Sequence, residues 1–238
     1  MFQTDDHRRK CFEAVFSVLR KVQASRKFGV ELTVLLDNEK ALEPPDAIHS
    51  PIDGVPQFLV HIIRNLSKTH PTFYQTEGLF RIPGMQQRID KLRQLLDQHA
   101  SVKQVDFSQA SVHDLCGLIK LYFRELPTPL LLFENYNKFV QLSKQHKENG
   151  EPVLEPLIDI IQSLPAPNYA LLKFMMSDFL DNILDVSSIN KMKPSNLAVC
   201  WTPSLCWPKT ETLDTAMDIL HLNAMMTTLI KEKDKIFT

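Results

Sequence analysis

Glycine is scarce in this sequence: there are six among 238 residues, beside fifteen prolines. Tight Gly-rich turns connect the strands of hairpins and barrels, so their scarcity disfavours an all-β fold. No Cys-x-x-Cys pair occurs. The four cysteines, Cys11, Cys116, Cys200 and Cys206, are scattered. Cys116 and Cys200 stand in or beside apolar patterns, as buried reduced thiols of a cytosolic protein do. No apolar run approaches the ~20 residues of a membrane span. The N-terminus lacks the apolar core of a signal peptide, because Asp5, Asp6, Arg8, Arg9 and Lys10 interrupt it. A cytoplasmic location is therefore expected. Net charge is also nearly absent, since 27 Lys and Arg against 28 Asp and Glu leave −1. No global field draws the chain to nucleic acid or anionic lipid.

The motifs of self-contained catalysis are missing too. The sequence has no Gly-x-x-x-x-Gly-Lys-Ser/Thr phosphate loop, no His-Glu-x-x-His zinc helix and no Gly-x-Ser-x-Gly elbow. The eight histidines are dispersed. His113 and Asp114 adjoin at a helix start, where capping explains them better than a proton relay. A self-sufficient hydrolase is excluded as the working reading.

What is present is a long series of helical patterns. Apolar residues make up 44% and charged residues 23%, ordinary for a globular chain with a real core. Residues 8–25 read as an amphipathic helix with Phe12, Val15, Phe16, Leu19 and Val22 on one stripe. Residues 1–27 hold seven basic and three acidic side chains. This stretch reads either as a membrane-surface or partner helix, or as a helix packed on the domain or trailing from an upstream one. Residues 28–36 are apolar but do not decide between helix and strand, and Pro44, Pro45 and Pro51 mark an irregular loop. Helical periodicity then covers about 55–69, 85–98, 111–125, 134–147, 152–164, 167–184, 194–201 and 214–235. The expectation is an all-α fold, a single multi-helix domain of about eight or nine helices, spanning 28–238 behind a basic extension, 1–27.

The helix near 111–125 is apolar around most of its circumference, so it should be central. Ser111 and Asp114 have capping-box spacing. Its remaining polar strip carries Lys120 and Arg124, one turn apart. On the preceding helix Arg88, Lys91 and Arg93 read as mostly outward. The chain is built around a shorter stretch, Glu77-Gly78-Leu79-Phe80-Arg81-Ile82-Pro83-Gly84. Its apolar residues should anchor the loop and Pro-Gly should turn it, leaving the Arg81 guanidinium on a stiff post. Such a planar, permanent cation suits phosphate charge in a way lysine cannot copy. The rival reading is an ion pair with Glu77 that only ties the loop down. From 81 to 124 seven basic side chains stand against four acidic ones, a surface for an acidic partner if the segments adjoin.

Four segments, in order, resemble the Rho GTPase-activating protein (RhoGAP) domain family. They are Phe28-Gly-Val-Glu-Leu32, Thr76 through Gly84, Leu118 through Leu130, and Asn190 through Leu205, and the resemblance covers roughly 28–236. It implies a helical module that binds a Rho- or Rac-class small GTPase in its GTP state and stimulates hydrolysis with an arginine finger supplied in trans. Arg81 takes the finger position. Lys120, Arg124 and Asn196 match family residues at the GTPase-binding surface. The chain would be an activator and not itself the enzyme. No cofactor or metal of its own is implied, since GTP and Mg²⁺ belong to the GTPase. No nucleic acid is implied, and membrane association is left to residues 8–25 or to the partner. Thr202 departs from the family, which usually has glycine there, and should alter local loop geometry without abolishing function. The alternative is a RhoGAP-like scaffold that binds a GTPase without activating it.

Overall fold

In a computed structural model the described residues are 25–42, 52–99, 101–150, 152–210 and 212–237. The 8–25 helix (but for Ser25), Cys11 and the Pro44, Pro45 and Pro51 loop lie outside them. The helices run in the order α1 (Leu32–Leu42), α2 (Gln57–Thr69), α3 (Gln86–Gln98), α4 (Val112–Arg124), α5 (Phe133–Asn149), α6 (Leu154–Gln162) and α7 (Ala166–Lys173). A π-helical segment (Phe174–Leu180) leads on to α8 (Asp181–Leu184), α9 (Ser187–Asn190), α10 (Pro194–Leu205), α11 (Leu213–Lys231) and α12 (Lys233–Ile236). Single 3₁₀ turns at Phe73–Gln75 and Val102–Gln104 complete the set, with no strand among the described residues. The fold is all-α.

The centre is α4, as its pattern requires. Leu115, Cys116, Leu118, Ile119, Tyr122 and Phe123 are all buried, and the helix packs between α3 and α10. The expected capping box forms, with Ser111 and Asp114 each satisfying the other's backbone N–H. Tyr122 meets Phe28 and Phe58 edge-on, while Phe123 meets Trp201 of α10. α10 in turn lies along α11, and α11 along α5.

The ambiguous 28–36 stretch resolves into the start of α1. Gly29 makes the turn into it at φ +68°, and Phe28 is fully buried. Glu39 then accepts from the backbone N–H of Gln57 (2.7 Å) and Phe58 (3.3 Å), capping α2 from α1. Ser25 and Lys27, read as part of the basic extension, are buried. The Lys27 ammonium donates to the carbonyls of Ser25, Leu96 and His99, each at 2.8 Å. Burial pushes its pKa down, against the raising effect of Glu39 and Asp97. A cation at the open carbonyl end of α3 satisfies both that helix's dipole and its last acceptors.

Three boundaries differ from the pattern. The 167–184 helix contains the π-helical segment, whose wider turn buries Phe174, Met175, Met176, Phe179 and Leu180 together. The 214–235 helix breaks at Glu232 into α11 and α12. α10 continues past 201 to Leu205 with Pro203 inside it. Proline there lacks only one N–H, and the helix ends two residues later, so the loss is confined to its last turn. Thr202 is therefore buried within a helix and not in a loop. Its hydroxyl donates to the Ala198 carbonyl at 2.8 Å, and it lines a small apolar cavity with Leu131, Phe139 and Met225. Among the described residues no helix is long and apolar enough to cross a membrane.

Candidate functional site around Arg81

The loop between the Phe73–Gln75 turn and α3 is held at several of its peptide groups. Gly78, at φ +72°, donates its N–H to the Asn190 carbonyl at 2.9 Å. Its own carbonyl accepts from the N–H groups of Arg81 and Ile82, both at 2.9 Å. A Cβ at Gly78 would meet the Ile82 side chain at 2.8 Å. Asn190, itself buried, is fastened by bonds from its amide to the carbonyls of Tyr74 and Ile183, and by one from Met192 N–H to its Oδ1.

Phe80 is the unusual residue. Its φ of +64° lies in the left-handed region, which a bulky side chain rarely enters. Such a conformation costs on the order of 1–3 kcal/mol and needs its surroundings to impose it. They do. The ring is buried between Trp201 (4.8 Å between centroids) and Phe179 (5.7 Å, edge-on). The carbonyl accepts from Lys120 Nζ at 2.6 Å. The N–H is directed at the Cys116 sulfur, whose thiol burial pushes up to about 12. With this residue clamped, Arg81 is turned outward, and its side chain stays 44% exposed. Its nearest carboxylate, Glu77, is 3.9 Å away and also exposed. A surface pair so long contributes little, which weakens the reading of Arg81 as a tie.

The loop's other end abuts α4. A Cβ on Gly84 would lie 2.7 Å from the backbone of Asp114, so only glycine permits this approach. The buried Asp114 carboxylate accepts from Met85 N–H (2.7 Å) and Ser111 N–H (2.9 Å), and Arg88 reaches it at 3.5 Å. Burial pushes its pKa up, yet the bonds from Ser111, Met85 and Arg88 outweigh that and hold it below the usual carboxylate range. A lowered folded-state pKa stabilises above the unfolded value, about 4, and is lost as pH falls through the folded one. Asp114→Ala should cost about 3 kcal/mol in urea unfolding at neutral pH. That deficit should shrink as pH falls below the unfolded value and through the lowered folded one, where the wild-type carboxylate also protonates. A deficit that is absent at neutral pH, or undiminished in acid, would contradict this account.

Lys120, Arg124 and Asn196 come from two helices. Lys120 is half-buried; burial lowers its pKa, Cys200 and Cys116 oppose this, and Arg124 adds to it. Arg124, one turn on, is exposed and makes no hydrogen bond or ion pair among the described residues. Asn196 sits in the first turn of α10 and accepts from Lys193 N–H at 3.3 Å. Four residues on, Cys200 is close enough for Lys120 and Arg81 to pull its thiol pKa down against the effect of burial. Loop, α4 and α10 therefore converge at Arg81, with Asn196 one turn from Cys200 on the same side of α10. Ile82, Met85 and Val199 add exposed apolar surface to these segments. Arg93, read as outward, instead bridges to Glu125 at 2.8 Å and lies over the Phe28 ring.

Sequence reasoning did not find the clamp on Phe80, the Met85 bond to Asp114 or the hub at Asn190. These join residues 29 to more than 100 positions apart, beyond the reach of any periodicity. Asp114 announced itself only as a cap.

Known proteins bear on this arrangement. The RhoGAP domain family model matches residues 56–210. The Rho GTPase-activating protein gacY of Dictyostelium discoideum is 35% identical over 164 residues, which is 68% of this chain and 22% of that protein. Human Rho GTPase-activating protein 24 is 34% identical over 162 residues, 68% of this chain and 21% of its own. The chain thus spans about a fifth of the length of these relatives. The crystal structure of human Rho GTPase activating protein 15 superposes with a TM-score of 0.74 at 26% identity, covering 90% of this chain and 93% of that one. The BH domain from GRAF, the GTPase regulator associated with focal adhesion kinase, gives a TM-score of 0.63 at 26% identity, over 76% of this chain and 95% of its own. By fold and by sequence, this chain belongs to the RhoGAP domain family.

Proposed function

We propose that this domain accelerates GTP hydrolysis by a Rho- or Rac-class small GTPase in its GTP-bound state, with Arg81 as the arginine supplied in trans. The observation that carries this reading is the Phe80 clamp, which stores strain in a buried residue and leaves an unsequestered guanidinium beside it. Strain of this kind persists where a precise geometry is useful. The GTPase brings its own nucleotide, Mg²⁺ and water-positioning group, and lacks only a further cation to meet the charge that develops on the transferred phosphoryl oxygens. Arg81 meets that charge with two donors in a plane. Lys120 holds the loop, Arg124 offers an exposed cation to an acidic partner surface, and Asn196 presents its amide at the same edge. Ile82, Met85 and Val199 supply apolar contact around the charges.

Single-turnover hydrolysis by a panel of Rho-, Rac- and Ras-class GTPases tests the reading. Stimulation of Rho or Rac members and not of Ras is the expected result. Tight binding to the GTP form with no acceleration of any member would instead make the domain a scaffold.

A further inference from the structure

The π-helical segment Phe174–Leu180 forms the floor of the Arg81 loop. Phe179 meets Phe80 edge-on at 5.7 Å and Phe73 at 6.4 Å. A π turn holds an extra residue relative to an α turn. Were the segment to relax to α geometry, the side chains beyond it would rotate by one residue's worth, about 100°. Phe179 could not stay beneath Phe80 through such a change.

Something must therefore hold the register, and α12 is placed to do it. Its two ends grip the helix on either side of the π segment. Before the segment, the Phe237 ring packs on Tyr169 of α7 at 5.6 Å. After it, the Lys233 ammonium meets Asp181, the first residue of α8, at 3.2 Å, and Asp234 at 2.8 Å. Lys233, Ile236 and Phe237 are buried, and α12 packs against the π segment itself. Burial disfavours the charge on Lys233, but its bonds to Asp234 and Asp181 keep it protonated. The family match ends at residue 210, so this brace lies outside the matched segment.

We infer that α12, through Lys233, is a positioning element for the Arg81 loop: it staples the π segment in the register that seats Phe179 under Phe80. Its catalytic consequence rests on the function proposed above, but its structural consequence does not. Lys233→Met and Asp181→Asn both remove the ionic end of the staple, while Lys233→Arg restores it. Two readouts on the full chain separate the claims.

The first is amide hydrogen exchange. In both disrupting variants the amides of Gly78, Arg81 and Ile82 should exchange about tenfold faster, those of α2 should be unchanged, and Lys233→Arg should recover the slow rate. The second is single-turnover hydrolysis at saturating domain. The maximal rate should fall about tenfold, as small misplacements of a reacting group do, with the half-saturating concentration within about twofold. Unchanged loop exchange in both variants overturns the inference, whether or not the domain stimulates any GTPase. Faster exchange with an undiminished maximal rate in a stimulating wild type overturns the positioning role. A wild type that stimulates nothing refutes the proposed function and leaves the exchange result to decide the staple.

Discussion

Arg81→Ala should lower the maximal stimulated rate of GTP hydrolysis by about 10³–10⁵-fold, the range over which a trans arginine acts in related systems. Affinity for the GTP-bound partner should change far less, because the guanidinium meets most of its charge only in the transition state. Folding should be unaffected to within about 0.5 kcal/mol, since the residue is exposed and its ion pair with Glu77 is long. Arg81→Lys should fail almost as badly, because a single ammonium cannot place two parallel donors. The measurement is a single-turnover series at saturating domain, read beside a binding curve. Full stimulation by Arg81→Ala would show that the cation comes from elsewhere and would end the finger reading.

The next largest effect is expected at Lys120. Replacing it by alanine removes the only side-chain donor to the Phe80 carbonyl among the described residues, leaving a buried acceptor unmet at a cost of about 1–3 kcal/mol. The strained φ of Phe80 then has less to hold it, so Arg81 loses its bearing although it is still present. Lys120→Ala should lower the maximal rate by about 10²-fold, consistent with a misplaced catalytic group. Binding should also weaken and its dependence on salt should flatten, because a cation has left the interface. Equal binding by wild type and variant across a salt series would refute the docking part of this role. An unchanged maximal rate would refute the positioning part.

Much of this molecule could be read before any coordinates. The helix around Lys120 was legible as central because Leu115, Leu118, Ile119, Tyr122 and Phe123 leave so little polar surface. Its cap was legible because Ser111 and Asp114 lie within one turn. Boundaries failed where backbone geometry overrode pattern. The pattern ends this helix near 201, yet a proline in a final turn removes a single bond and α10 runs through Pro203 to Leu205. The π segment keeps an apolar pattern that fits an ordinary helix, so nothing in Phe174–Leu180 separates the two. The site divided in the same way. Arg81 stood out by its neighbours, whereas the residues that aim it are distributed over α4, α9, α10 and the π segment. Lys27, counted with the basic extension, shows the reverse case: only the carbonyl end of α3 reveals why it is buried.

A last consequence of the Phe80 clamp concerns timing. A loop fastened through the ring and the carbonyl of Phe80 has no slow rearrangement left to make when a partner arrives. Association should then be limited by diffusion and by charge attraction, with a weak dependence on temperature and no lag between capture and acceleration. Each encounter would begin with the guanidinium already in place, so the lifetime of the complex, and not the motion of the loop, would set how many partners one domain can serve.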